Sequence, residues 1–157
     1  MYRQRGLAAI ELAFLTPLFF IVLFGIVEIA RMEYVWNTLD SVTQRAARVA
    51  VVCPPNHEKI RHIALYGHSE NPGSTVSIKG LTDDNIKLEY LDRNFNSTGG
   101  AFPITFVRAS IVNFEHELLI PFFSKLIQPS EYATTLPAES LGFNPGTGGR
   151  ECFGTSA

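Results

Sequence analysis

Arg5-Gly6-Leu7-Ala8-Ala9-Ile10-Glu11-Leu12-Ala13-Phe14-Leu15-Thr16-Pro17-Leu18 opens an apolar run that continues to Ile29. Between Leu7 and Ile29 the only ionisable residues are Glu11, near the start, and Glu28, near the end. A helix crossing a bilayer core needs about 20 apolar residues. A secretory signal has a shorter apolar region of roughly 7–15 residues, followed closely by a small-residue cleavage site. No such site follows Ile29. The run therefore reads as a retained membrane helix over residues 7–30. Arg3 and Arg5 keep its start cytoplasmic under the positive-inside rule. Arg31 and Arg45 oppose that signal weakly, because they lie within a continuing helix.

A carboxylate inside such a run costs roughly 2.5–3.5 kcal/mol even on lenient scales, so Glu11 needs a partner. If residues 1–6 form a leader cut after Gly6, a positive α-amine appears at Leu7, and a neighbouring subunit's Glu11 can pair with it. The other reading is a plain signal anchor whose Glu11 reaches the cytoplasmic surface. Loss of the leader removes Arg3 and Arg5 and moves the net charge from −2 to −4. Neither value, with no basic stripe downstream, suggests a nucleic-acid partner. Pro17 withdraws the N–H that the Ala13 carbonyl would use. A kink or a melted turn is expected there, and Thr16 can bond back to Leu12. A flexible joint and a tolerated membrane proline are both compatible with it.

The helix does not stop at the membrane. Met32, Val35, Leu39, Val42, Ala46, Val49 and Cys53 recur at alternating spacings of three and four, which is a helical seam. Asn37, Asp40, Ser41, Gln44, Arg45 and Arg48 occupy the opposite face. The helical part of the outer domain thus runs over 31–52, until Pro54-Pro55 ends it. Tyr34 and Trp36 suit the membrane–water boundary. Glu28 and Arg31, three apart, read as a boundary ion pair worth tenths of a kcal/mol.

Beyond the rod, residues 58–66 read as a short helix stopped by Gly67. Asn71-Pro72-Gly73-Ser74 marks a turn. Alternating β-branched and aromatic residues then predict a sheet region over 75–137, with strands at 75–79, 85–92, 102–114 and 131–137. Residues 118–127 are apolar but hold Pro121, which suggests a loop or short helix. The tail 142–157 is rich in Gly and Pro and needs Cys152 to tie it down. The fold class is therefore α+β: a long N-terminal helix packed on a small, mostly antiparallel sheet, within an outer domain of 31–157. Phe102, Phe106, Phe114, Phe122 and Phe123 are expected in its core, an adhesive or subunit-binding patch being the other reading.

There are two cysteines, Cys53 and Cys152. In an extracytoplasmic domain a disulfide is allowed. It would close a loop of roughly 100 residues, worth about 4–5 kcal/mol in the chain-entropy account. The alternative is two unrelated thiols. Catalytic readings find little support. His57, His62, His68 and His116 have no metal-ligand spacing, and there is no phosphate loop or nucleophile elbow. No enzyme activity, cofactor or metal is expected. Asn96-Ser97-Thr98 fits a glycosylation sequon but reads more simply as a turn.

The stretch from Arg5 to Leu18, then Gly25-Ile26-Val27-Glu28-Ile29-Ala30-Arg31 and Val42-Thr43-Gln44-Arg45-Ala46-Ala47-Arg48-Val49-Ala50, resembles the N-terminus of TadE-like pseudopilins. These belong to the tight-adherence (Flp-type, type IVc) pilus system. The resemblance covers about the first 50 residues closely and the remainder in outline. Leu12 departs from the major Flp pilins, which commonly carry tyrosine after the glutamate and are much shorter. Both differences point to a minor component.

The resemblance implies cleavage between Gly6 and Leu7 by a prepilin peptidase. It implies partnership with other pilin-like subunits, pilus assembly proteins and membrane lipid. It places the chain in a bacterial inner membrane in one pass, with the domain periplasmic and a place in a surface pilus open to it. Two alternatives remain. One is a signal-anchored periplasmic binding or adhesion domain that is not processed as a pilin; the other is a type II secretion pseudopilin.

Overall fold

The structure, a computed structural model, describes residues 5–67, 78–118, 126–127 and 131–152. Its frame is one helix, α1 (Arg5–Ala50), of 46 residues. At about 1.5 Å per residue this is a rod of roughly 70 Å. Pro17 lies inside α1 without ending it. Next to the turn that lacks its N–H, the Thr16 hydroxyl donates to the Leu12 carbonyl at 2.7 Å.

Val35, Leu39, Val42, Ala46 and Val49 are all buried, and Met32 is half-buried. Thr43, Ala47 and Ala50 are buried beside them. These small side chains widen the stripe and let the backbone lie close to the sheet. Thr43 keeps its polar atom satisfied, with its hydroxyl 2.8 Å from the Asp40 carbonyl and 3.2 Å from the Thr134 hydroxyl. α1 ends at Ala50, two residues before the expected Val52. Val51 to Cys53 form a turn, in which the Cys53 N–H still reaches the Val49 carbonyl at 3.0 Å. The approach to Pro54-Pro55 favours extended backbone over helix.

The second helix, α2 (Lys59–Tyr66), buries Ile60, Ile63, Ala64 and Leu65. Gly67 stops it at φ 78°, its N–H bonding the Ile63 carbonyl at 2.9 Å. That left-handed cap costs glycine nothing. A 3-10 turn, Asp83–Asn85, leads into β1 (Ile86–Leu91). The remaining strands are β2 (Phe106–Ile111), β3 (His116–Glu117), β4 (Leu126–Ile127) and β5 (Ala133–Pro137). The main sheet has the order β1-β2-β5 and is antiparallel, with Tyr90 opposite Val107 and Ala109 opposite Thr134. β3 and β4 pair separately. α1 lies on β2 and β5 and is flanked by α2.

Several expectations need correction. Among the described residues the sheet begins at Ile86, and Ile78–Lys79 form a bend before it; 75–77 and the turn at 71–74 lie outside the described residues. β2 is shorter than 102–114. Pro103 has no N–H for a ladder. At the other end Asn113 turns at φ 53°, and the Asn85 side chain takes the Val112 and Asn113 carbonyls at 3.0 and 3.1 Å. Within the apolar 118–127 segment, Leu126–Ile127 form a strand; 119–125, with Phe122 and Phe123, lie outside the described residues. Phe114 is buried as expected, but Phe102 is 53% exposed. Its ring is covered on one side by the Arg150 guanidinium, 4.0 Å from the centroid. Phe106 is half-buried and stacks on Phe95 with centroids 4.7 Å apart.

The core has two parts. Val35, Leu39, Ala46, Ala64, Ile86 and Ala109 belong to the one nearer the apolar half of α1. Val49, Ile60, Tyr90, Val107, Leu141 and the two cysteines form the other, where α1 ends. The tail closes this second core. The Leu141 N–H bonds the Val51 carbonyl at 3.0 Å, and the Glu151 N–H bonds the Gly142 carbonyl at 2.8 Å. Gly142 has φ 79°, and a Cβ there would stand 2.5 Å from Pro54 Cδ and 2.8 Å from the Glu151 carbonyl oxygen.

Candidate functional site

The sequence concentrates its chemistry on α1. From Ile10 to Ile29 the large apolar side chains are exposed, Phe14 by 79% and Ile21 by 68%. A soluble helix cannot leave that much continuous apolar surface in water. Among the described residues α1 is the one helix long and apolar enough to cross a membrane, with a mean hydropathy of 2.4 in its apolar window. Glu11 is exposed on this surface. A carboxylate in an apolar layer calls for a compensating cation. Gly6 and Leu7 lie in the first turns of the same helix. Gly6, Leu7, Glu11 and Pro17 are thus carried on one rod, far along the chain from the folded domain.

The exit of the rod from its apolar stretch is more constrained than the sequence suggested. Glu28 is buried, and Arg31 Nη1 donates to its Oε1 at 2.9 Å. The same Arg31 nitrogen donates to the Glu117 carbonyl at 3.1 Å. His116, only 4% exposed, places Nε2 3.6 Å from Glu28 Oε1. β3 is therefore pinned against the helix at the first polar turn. An ion pair with little water around it differs from an exposed one: removing one partner strands the other. His116 lies 88 positions from Glu28 along the chain. The i,i+3 spacing of Glu28 and Arg31 was the only local signal, and it could not show the third member.

At the other end of the domain the two cysteines meet. Cys53 and Cys152 form a disulfide across a sequence separation of 99. Near it, the Tyr90 hydroxyl accepts the Asn56 N–H at 3.0 Å. Burial pushes the Tyr90 phenol above its ordinary value, and that hydrogen bond partly opposes the shift. In the turn after β1, the Asp92 carboxylate accepts the N–H groups of Asn96 and Asn94 at 2.8 and 2.7 Å. These bonds, Asn96 first, hold Asp92 below the usual carboxylate range. Asn96, the sequon asparagine, is spent in this turn. Among the described residues no three His, Cys, Asp or Glu side chains gather into a metal-binding group.

Fold and site together define an α+β protein whose sheet domain rides on a single long helix, with an apolar first half able to anchor in a membrane. A family model described as TadE-like protein matches residues 6–48. That stretch holds Gly6, Glu11, Pro17, the Glu28–Arg31 pair and most of the seam that packs on the sheet. The match covers 43 of the 157 residues, all of them in α1. No curated protein and no solved structure matches the chain.

Proposed function

We propose that the chain is a minor pilin-like subunit of a tight-adherence pilus, acting in assembly, initiation or capping of the fibre during adhesion and biofilm formation. One observation carries this: a TadE-like helix with an exposed apolar surface and a lone Glu11 continues without a break into the core of a folded domain. Residues 1–6 are the leader, and a prepilin peptidase cuts between Gly6 and Leu7. The new Leu7 amine pairs with Glu11 of a neighbouring subunit, which offsets the cost of a carboxylate in an apolar layer. The helix over 7–30 spans the inner membrane once, with residues 31–157 in the periplasm. Pro17 gives the helix a soft turn when it leaves the bilayer. The role is structural and not catalytic; the partners are the peptidase, pilin-like subunits, assembly proteins and lipid.

The mature N-terminus tests this reading. Intact mass of natively expressed protein, purified from membranes, should show a chain starting at Leu7. Gly6→Ala should slow processing more than Glu11→Ala does, and Glu11→Ala should instead impair assembly. A mature chain that keeps Met1-Tyr2-Arg3 would overturn the proposal and leave a signal-anchored domain. Normal pili in Glu11→Ala would remove the pairing assigned to the carboxylate.

A further inference from the structure

Where α1 leaves its apolar stretch, a cleft of about 480 Å³ opens between the helix, the Ile78–Gly80 bend and β3. Val35 and Ile78 are buried and give it an apolar floor. Its rim carries both signs of charge: Arg31 and Lys79 against Glu115 and Glu117. Arg31 is already bonded to Glu28 and to the Glu117 carbonyl. The Lys79 ammonium and the Glu117 carboxylate are on exposed residues and make no ion pair among the described residues. Two charges of opposite sign, unpaired in one cleft, complement a zwitterion better than a simple anion. Position narrows the ligand further. Arg31 stands two residues beyond Ile29, the last of the exposed apolar run. If that run spans the bilayer, the cleft lies at the depth of the lipid headgroups.

We propose that this cleft binds the phosphoethanolamine headgroup of a zwitterionic phospholipid. The phosphate lies toward Lys79 and Arg31, and the ammonium donates to the Glu117 carboxylate. Charge-assisted hydrogen bonds of this kind are directional. A choline headgroup has the same net charge but no N–H to donate. A glycerol headgroup keeps the phosphate and has no cation. The inference rests on the membrane-spanning reading of α1.

The test is native mass spectrometry of the full chain, released from micelles doped with equal amounts of phosphatidylethanolamine, phosphatidylcholine and phosphatidylglycerol. Phosphatidylethanolamine adducts should exceed each of the others by about threefold, the scale of one exposed charged contact. Glu117→Gln should equalise ethanolamine and choline lipids, and Lys79→Met should lower all three. Both side chains are exposed, so thermal melting should match the parent and show that loss of lipid is not loss of fold. Equal retention of the three lipids, or a preference for phosphatidylglycerol, would overturn the site. Carbonate extraction of the same membranes separates the two ideas. A chain that stays in the membrane without the lipid preference sinks the headgroup site alone, and a chain that is released sinks both.

Discussion

Replacing Cys152 with serine should be the most damaging single change in the outer domain. The bond joins residues 99 apart, so the unfolded chain loses the closure of a loop of that size. For loops of about 100 residues the chain-entropy account gives about 4–5 kcal/mol. Cys53 is fully buried and Cys152 nearly so, and both belong to the core that seals the end of α1. With a urea m-value of about 2 kcal/mol per M, that loss lowers the midpoint by about 2 M. The assay is urea denaturation of the full chain in detergent, followed by the fluorescence of Trp36. It is the one tryptophan, and it is half-buried. Reduction of the parent protein with dithiothreitol should reproduce the Cys152→Ser curve. Parent and variant midpoints within about 0.5 M of each other would refute the reasoning. They would mean that the unfolded chain is already compact enough for the staple to matter little.

Three further outcomes are expected. Tyr90→Phe leaves the Asn56 N–H without its 3.0 Å acceptor and should cost about 1–3 kcal/mol, read as a lower melting temperature. Gly142→Ala places a methyl against Pro54 and the Glu151 carbonyl at a positive φ, and should cost about 2 kcal/mol or more, with slower disulfide formation on refolding in a timed thiol-trapping assay. Asp92 has its pKa lowered in the folded state, so its contribution is present above the ordinary carboxylate range and fades as pH falls through the lowered value. Asp92→Ala should therefore melt below the parent at pH 7, and the two melting temperatures should converge in acid.

Much of this fold was legible because its main element obeys a local rule. Leu39 and Val42 are buried where the three-four spacing put them, and Gly67 ends α2 where a left-handed cap was needed. Ile86 and Tyr90 share the inner face of β1 because strands alternate. What failed was set at long range. The start of β2 depends on which residues Leu91 and Pro137 reach, and the sequence around Phe102 does not contain that information. Phe102 reads as core by composition, yet it is exposed beneath Arg150, a residue 48 positions away. Gly6, Leu7, Glu11 and Pro17 lie together on α1, where the apolar run put them. The Glu28–Arg31–His116 cluster was only half visible, since His116 arrives from β3, 88 positions along the chain from Glu28.

The disulfide also decides how the molecule would carry a pull. Tension entering near Cys152 passes straight into Cys53, three residues past the end of α1, and then down the helix toward its apolar half. The 99-residue interval between the sulfurs is bypassed. That interval would otherwise pay out about 330 Å of extended chain at roughly 3.3 Å per residue. With the staple closed, the sheet is a passenger on the load line, and the helix is the cable.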